Sequence, residues 1–283
     1  MNRLGRIFRR LQKRSSNSQG EDRQAVYVGD HRVLTTTIYG QRLFVDSRDL
    51  SLTPQIILGG CWEPEITQVM MSLVKPGMTI IEIGANVGYY TTLFGQLVGP
   101  TGCVRAFEAN PEVFDILTQN LAINGLIPRV KAERMLVCDT GGEREITLLS
   151  RHRGSGSMLS FTDEFVAMFH DTKTIIRMPA TTLDEYWSND DRPIDLIKID
   201  AEGSEPLIFD GMQRILAQPH LTVVCEFLKP FFAGSSRSAE SFLERLLGHG
   251  FALHRITQRG GITAVSPREL LASDSGAELL LTK

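Results

Sequence analysis

The segment Leu196-Ile-Lys198-Ile-Asp200-Ala-Glu202-Gly-Ser-Glu205 sets one lysine and three acids within eight residues. If its first half is a strand, alternation puts Lys198 and Asp200 on one face and Ile197 and Ile199 on the other. A lysine in a buried strand is costly unless paired, and Asp200 is the partner this spacing offers. Acids gather at helix N-termini for electrostatic reasons alone, at roughly 0.3–1 kcal/mol each. That accounts for Glu205 well, for Glu202 in part and for Lys198 not at all. The chemistry open to such a group is removal of a proton from an attacking hydroxyl, by Asp200, Glu202 or Glu205. Asp200 together with Glu226, near the end of a later strand, also suits a divalent ion such as Mg2+ that lowers a hydroxyl's pKa. Glu226 reads equally well as a surface or helix-capping acid.

A second group of residues reads as a cofactor turn. Glu82-Ile-Gly84-Ala-Asn86-Val-Gly88 closes an apolar strand and opens a helix, where an open α/β sheet takes its ligands. A dinucleotide turn needs a glycine in its middle position so that the backbone can touch a pyrophosphate; here that position is Asn86. Glu82 repels phosphate and suits a cation. S-adenosyl-L-methionine, with a sulfonium and an ammonium and no phosphate, is such a ligand. Glu108, 20 residues after Gly88, is placed for both ribose hydroxyls, and Asp139, beyond a third strand, for the adenine edge. A tight strand–helix turn flanked by surface acids is the plain alternative. Turn, preceding acid and second-strand acid together favour the adenosyl site.

Both groups need a parallel sheet to bring them together. Short apolar strands are expected at 79–83, 103–107, 130–137, 194–200 and 221–227, with strands at 251–256 and 278–281 finishing the sheet. Helices are expected at 64–74, 89–98, 111–124, about 204–217 and 238–248, Pro111 opening the third at its first turn. Strands alternating with helices at this spacing imply a sheet covered on both faces. Ahead of them, 33–39 and 42–45 read as a hairpin about Gly40-Gln41. Three divisions follow: a basic tail and linker at 1–24, a β-rich extension at 25–59 and an α/β domain at 60–283. The stretch Arg151–Ala180, with Gly154–Ser157 and an amphipathic Phe161–His170, is the expected selector of the acceptor, as a lid or as a dimer contact.

Composition narrows the function further. At 283 residues, 42% hydrophobic and 22% charged, the chain is ordinary globular material. The net charge of −3 is unevenly spread: residues 1–20 carry Arg3, Arg6, Arg9, Arg10, Lys13 and Arg14 and no acid, so the remainder is more acidic than the whole. Such a body is poorly suited to a phosphate backbone, and no nucleic-acid partner is expected. Four separated cysteines and no C-x-x-C argue against zinc and disulfides. The tail lacks the apolar stretch of a signal peptide, so the expected location is cytoplasmic. Leu4, Ile7, Phe8 and Leu11 form one helical stripe among the tail's cations. That pattern suits peripheral contact of residues 1–14 with an anionic membrane, and equally suits a disordered tail or a protein-docking helix.

With these residues in view, the chain resembles the FkbM family of methyltransferases. The resemblance rests on Gly77–Tyr90, Phe107-Glu108-Ala-Asn-Pro111, Thr182-Leu-Asp184 and Asp195–Glu205, the last being the most specific, and runs from about Trp62 to Phe227. It implies a class I, Rossmann-like fold: a mostly parallel seven-stranded sheet with helices on both faces, here behind an N-terminal β-hairpin. It also implies S-adenosylmethionine-dependent O-methylation of a sugar, glycan or polyketide-type hydroxyl. Glu82, Gly84, Asn86, Gly88 and Glu108 would hold the cofactor, and Lys198, Asp200, Glu202 and Glu205 would border the acceptor. Trp62-Glu63-Pro64 is similar to a family segment before the core helix and is expected to close over the site. Ala201 stands where the family commonly has Val or Ile, and Glu82 where Asp is commoner; residues 1–20 have no counterpart. An NAD oxidoreductase and a non-catalytic methyltransferase-like binding module remain as alternatives.

Overall fold

Short strands and helices alternate from Val26 to Thr282 in a computed structural model, which describes residues 24–159, 163–232, 238–273 and 275–283. The basic tail, and with it the expected membrane stripe, lies outside the described residues. Three antiparallel strands come first: β1 (Val26–Gly29), β2 (Arg32–Thr36) and β3 (Arg42–Asp46). Helices α1 (Leu52–Gly59) and α2 (Pro64–Leu73) follow, so the expected β-rich extension is helical in its last third. The α/β alternation then runs β4 (Thr79–Ile83), α3 (Tyr89–Leu97), β5 (Cys103–Phe107), α4 (Pro111–Ile123) and β6 (Val130–Glu133). After β7 (Leu136–Val137), β8 (Gly142–Leu149), α5 (Asp163–Met168), β9 (Lys173–Thr181) and α6 (Leu183–Tyr186), it resumes with β10 (Leu196–Ile199). It ends in α7 (Glu205–Asp210), α8 (Gln213–Leu216), β11 (Thr222–Phe227), α9 (Ala239–Gly248), β12 (Ala252–Ile256), β13 (Ile262–Ala264), α10 (Pro267–Ala272) and β14 (Ala277–Thr282).

The main sheet has the order β13-β12-β14-β11-β10-β4-β5-β6. Strands β11, β10, β4, β5 and β6 are parallel neighbours, while β14 runs antiparallel to β11 and β12. This is the expected mostly parallel sheet with an eighth strand, β13, added at its edge. Helices cover both faces, so the central strands are buried and mostly apolar; all five residues of β4 are buried, Glu82 among them. Ile80, Val104, Leu196 and Val224 point to the face packed by Tyr90, Phe94 and Leu117. Ile81, Phe107, Ile197 and Val223 point to the other, against Trp187, Phe209 and Phe242. Each such buried side chain contributes roughly 1.5–3 kcal/mol. From β4 the chain winds outward to β6 and then returns to place β10 on the other side of β4. The carboxyl ends of β4 and β10 therefore form the crevice where an α/β sheet binds ligands.

Three expectations change. The apolar run 130–137 serves two sheets: β6 pairs with β5, while β7 joins β9 and β8 in a separate three-stranded sheet. The last part of the expected selector stretch is strand, since β9 pairs with β8 from Gly142↔Ala180 to Leu149↔Lys173; its burial does not alternate cleanly, which hid it. The helix expected at 204–217 breaks at Gly211, where a Cβ would lie 1.9 Å from the Cys138 carbonyl oxygen.

The extension is fastened to the domain by buried amides. Asn120 Nδ2 donates to the carbonyls of Phe44 (2.9 Å) and Val87 (2.7 Å), and its Oδ1 accepts from the Phe44 amide at 2.7 Å. Gln41 Nε2 donates to the Tyr89 carbonyl at 2.9 Å. These contacts bring the extension to the start of α3, beside the glycine turn.

Candidate active site

Gly84 adopts φ 82°, and a Cβ there would lie 1.8 Å from the Asp200 carbonyl oxygen. The turn after β4 and the loop after β10 can meet this closely only because position 84 is glycine. The Asp200 amide donates to the Ile83 carbonyl at 3.0 Å, fixing the second strand end against the first. Gly88 caps α3 at φ 89° and packs on Leu117, lining neither of the two cavities that meet at this turn. Gly88 shapes the turn that presents Gly84 and Asn86 to the cavities. Asn86 is left-handed at φ 51°, its amide donating to Glu108 Oε2 at 2.8 Å and its Oδ1 accepting from the Val87 amide at 2.8 Å. Glu108 Oε1 takes the Asn110 amide at 2.7 Å, and burial still lifts this carboxyl to about 7. A carboxylate offers about four acceptor positions, so Glu108 joins the turn to α4 with capacity to spare.

The larger of the two cavities is about 210 Å3, and Glu63, Glu82, Asp200, Glu202, Glu226 and Glu278 line it with Lys198. Lys198 is buried, its Nζ 2.9 Å from Asp200 Oδ2 and 4.7 Å from the centre of the Tyr90 ring. Burial pulls its pKa down, but Asp200, Glu63, Glu82 and Glu278 together outweigh that and hold it charged. The acids respond in the opposite sense. Burial raises Glu82 to about 8, against Lys198 and a 2.6 Å hydrogen bond from Thr91. Burial and then repulsion from Asp200 raise Glu278 to about 8, Glu202 to about 7 and Glu226 to about 9. Glu226 and Glu278 stand directly opposite in the β11–β14 pairing, an arrangement that costs stability between like charges.

The smaller cavity, about 50 Å3, shares Gly84, Gly154 and Asp200 with the larger. Its other walls are Glu108 and apolar residues, among them Phe107, Met135, Val137, Ile146, Met158 and Ile208. The apolar lining of this end matches a base in chemistry, and the carboxylate end matches a sulfonium with an ammonium. The donor set thus suits adenosylmethionine: Glu108 for the ribose, Glu82 and the turn for the amino-acid portion. A larger cavity, about 600 Å3, lies at the amino ends of β5 and β6 among Arg105, Arg129, Lys131 and Arg192, and holds none of these residues.

Two other expected site residues lie elsewhere. Glu205 is buried with Oε1 accepting the Ala201 amide at 2.8 Å, which closes the acid loop, and it lines neither cleft cavity. Burial raises it to about 7 despite those amides. Asp139 also lines neither, its Oδ1 taking the Thr140 hydroxyl at 3.3 Å; the chain has by then crossed into the side sheet, and Met135–Val137 stand at the cleft instead. Asp200 and Glu226 share the larger cavity, but no group of three or more His, Cys, Asp or Glu among the described residues is arranged to hold a metal ion.

Several residues of the site escaped the sequence. Glu63, in the segment expected to close over the site, accepts the Tyr90 hydroxyl at 3.0 Å with no role foreseen for its carboxyl, and Glu278 arrives on the last strand, far from any motif. A backbone signal marks the same place: Glu63 (φ 42°), Asn86 (φ 51°) and Glu202 (φ 51°) are left-handed without being glycine, and all three line the larger cavity. Strained backbone of this kind collects at functional sites.

Sheet order and cleft together define a class: a methyltransferase that takes its methyl group from S-adenosylmethionine. A sequence profile described as "Methyltransferase FkbM domain" matches residues 82–253, and the chain belongs to that family. This sets aside the oxidoreductase and non-catalytic alternatives. Methyltransferase sdnD of Sordaria araneosa is 25% identical over 188 residues, 58% of this chain and 71% of that protein. A protein-L-isoaspartate O-methyltransferase of Methanothrix thermoacetophila is 33% identical over 60 residues, 20% of this chain and 29% of that protein. The solved structure of an O-methyltransferase from Bacillus cereus in complex with SAH aligns over 99% of this chain and 91% of that chain, at 14% identity and a TM-score of 0.44. Methyltransferase FkbM from Methylobacillus flagellatus aligns over 72% and 43%, at 11% identity and a TM-score of 0.43.

Proposed function

We propose that the enzyme methylates a hydroxyl oxygen of a sugar, glycan or polyketide-type acceptor, with Glu202 as the base. The observation that carries this reading is Glu202 itself: left-handed at φ 51°, facing the larger cavity beside Asp200, with burial raising its carboxyl to about 7. A base whose pKa lies near the working pH is the efficient one. Bound adenosylmethionine supplies an electrophilic methyl group on a sulfonium. The acceptor hydroxyl gives its proton to the Glu202 carboxylate while its oxygen forms the new bond to the methyl carbon; the methyl–sulfur bond breaks and its electron pair stays on sulfur. Asp200, held by Lys198, orients the acceptor, since carboxylates accept hydrogen bonds from polyol hydroxyls. The same carboxylates repel phosphate, which disfavours a nucleic-acid acceptor.

Turnover is measured as adenosylhomocysteine release with a panel of glycosides and polyketide alcohols. Glu202→Gln lowers kcat by about 10²- to 10⁴-fold and leaves adenosylhomocysteine affinity nearly unchanged. Equal losses in both would make Glu202 structural. Activity that survives EDTA supports the direct base; activity lost to EDTA and restored by Mg2+ gives Asp200 and Glu226 a metal-binding role instead.

We also propose a cytoplasmic location with peripheral membrane contact through residues 1–14, on the strength of their apolar stripe and six cations. The full chain then floats with anionic vesicles, and a chain beginning at Gln24 does not. Equal flotation of the two would remove the tail from that contact.

A further inference from the structure

Between β8 and α5 the segment 150–158 crosses the cleft as a strap. Its first residues are pinned by Asp171, whose carboxylate accepts the amides of Ser150 (2.9 Å), Arg151 (3.0 Å) and His152 (3.0 Å). At its far end Ser157 Oγ donates to the Glu202 carbonyl at 2.7 Å, and the Met158 amide to Ser204 Oγ at 3.2 Å. Between these ends Ser155 lines the larger cavity together with Glu202, and it lowers that carboxyl's pKa against the effect of burial. Gly154 touches the cofactor turn: a Cβ there would lie 2.0 Å from Asn86 Nδ2.

That contact has a geometric consequence. Gly154 lines both cavities, so the strap meets the turn at the waist between them. A ligand with its base in the apolar cavity and its amino-acid end among the carboxylates spans this waist.

Arg153 holds the strap down. It is buried, with Nε 3.1 Å from Asp46 Oδ2 and Nη2 paired to Glu112. Its amide donates to Asp49 Oδ1 at 3.2 Å, and its carbonyl accepts Asn110 Nδ2 at 3.0 Å. Asp46 and Asp49 belong to the N-terminal extension, and the Leu50 amide adds a 2.8 Å bond to the Arg151 carbonyl. Asp46 is itself buried, and burial pushes its carboxyl up while Arg48 and Arg153 hold it below the usual carboxylate range. Asp46 also pairs with Arg48 at 2.7 Å, so loss of the Arg153 charge undoes the clasp without leaving Asp46 unpaired.

We propose that Arg153 is a positioning residue, clasping the strap to the N-terminal extension so that cofactor exchange requires the clasp to open. It touches no reacting atom; it acts through Gly154 over the turn and through Ser155 on Glu202. The proposal rests on the adenosylmethionine reading of the cleft and adds the element that gates it.

The test is stopped-flow release of adenosylhomocysteine from the full chain, with calorimetry of the same proteins. Wild type binds at one site and releases slowly. Arg153→Met keeps the aliphatic stem but not the charge, and releases about tenfold faster or more; Arg153→Lys restores much of the slow release, which lost packing alone would not explain. Gly154→Ala, whose Cβ drives the strap off Asn86, also speeds release and serves if Arg153→Met does not fold. Unchanged release in Gly154→Ala and in a folded Arg153→Met overturns the strap while leaving the cofactor reading intact. No binding by wild type overturns the cofactor reading, and the strap with it.

Discussion

Lys198 faces six carboxylates in one cavity, and that imbalance governs how the molecule responds to pH. Burial and mutual repulsion lift Glu82 and Glu278 to about 8 and Glu226 to about 9, whereas in the unfolded chain they return to about 4.3. Groups with a raised folded pKa contribute stability that is fully present below the unfolded value and is lost as pH rises through the folded one. The cofactor-free protein therefore melts at progressively lower temperature between pH 6 and pH 9. Glu278→Gln flattens that decline, and adenosylmethionine, by placing a cation among the acids, raises the melting temperature more at pH 9 than at pH 6. A wild-type melting temperature flat over this range, or a Glu278→Gln protein that declines as steeply, would show that these acids do not carry the strain. Part of the cluster was legible in sequence. Strand alternation puts Lys198 and Asp200 together and the glycine turn brings Glu82. Glu278 has no local signature, because only the antiparallel return of the last strand sets it opposite Glu226.

Elements are legible where one partner serves a whole apolar run. Strands β4, β5, β10 and β11 fall within a residue or two of expectation, as do α3 and α4, because each packs one continuous face against the sheet. The errors share a different cause. The run 130–137 divides between two sheets, and the helix expected at 204–217 breaks where Gly211 meets Cys138. The β9 strand has no sequence signal because its exposed outer half carries no period. In each case a long-range contact overrides the local pattern, and sequence spacing does not encode such contacts. The same limit applies to Glu205 and Asp139: both have a residue type the site calls for, and the backbone turns after β10 and β7 set them off the walls of the two cavities.

On the scale of the whole molecule, the cleft is assembled from three parts. The main sheet contributes the glycine turn and acids, the side sheet the strap, and the extension the acids that hold the strap, together with Ser51 and Leu52 on the cavity wall. The central claim is that this cleft binds S-adenosylmethionine with its ribose on Glu108. Calorimetric titration of the full chain with adenosylmethionine, alongside NAD and the Glu108→Ala protein, tests it most directly. The account predicts one site for adenosylmethionine, none for NAD, and a loss of roughly 1–3 kcal/mol in Glu108→Ala from ribose hydroxyls left unpaired. No binding of adenosylmethionine, or an affinity that Glu108→Ala leaves untouched, would contradict it.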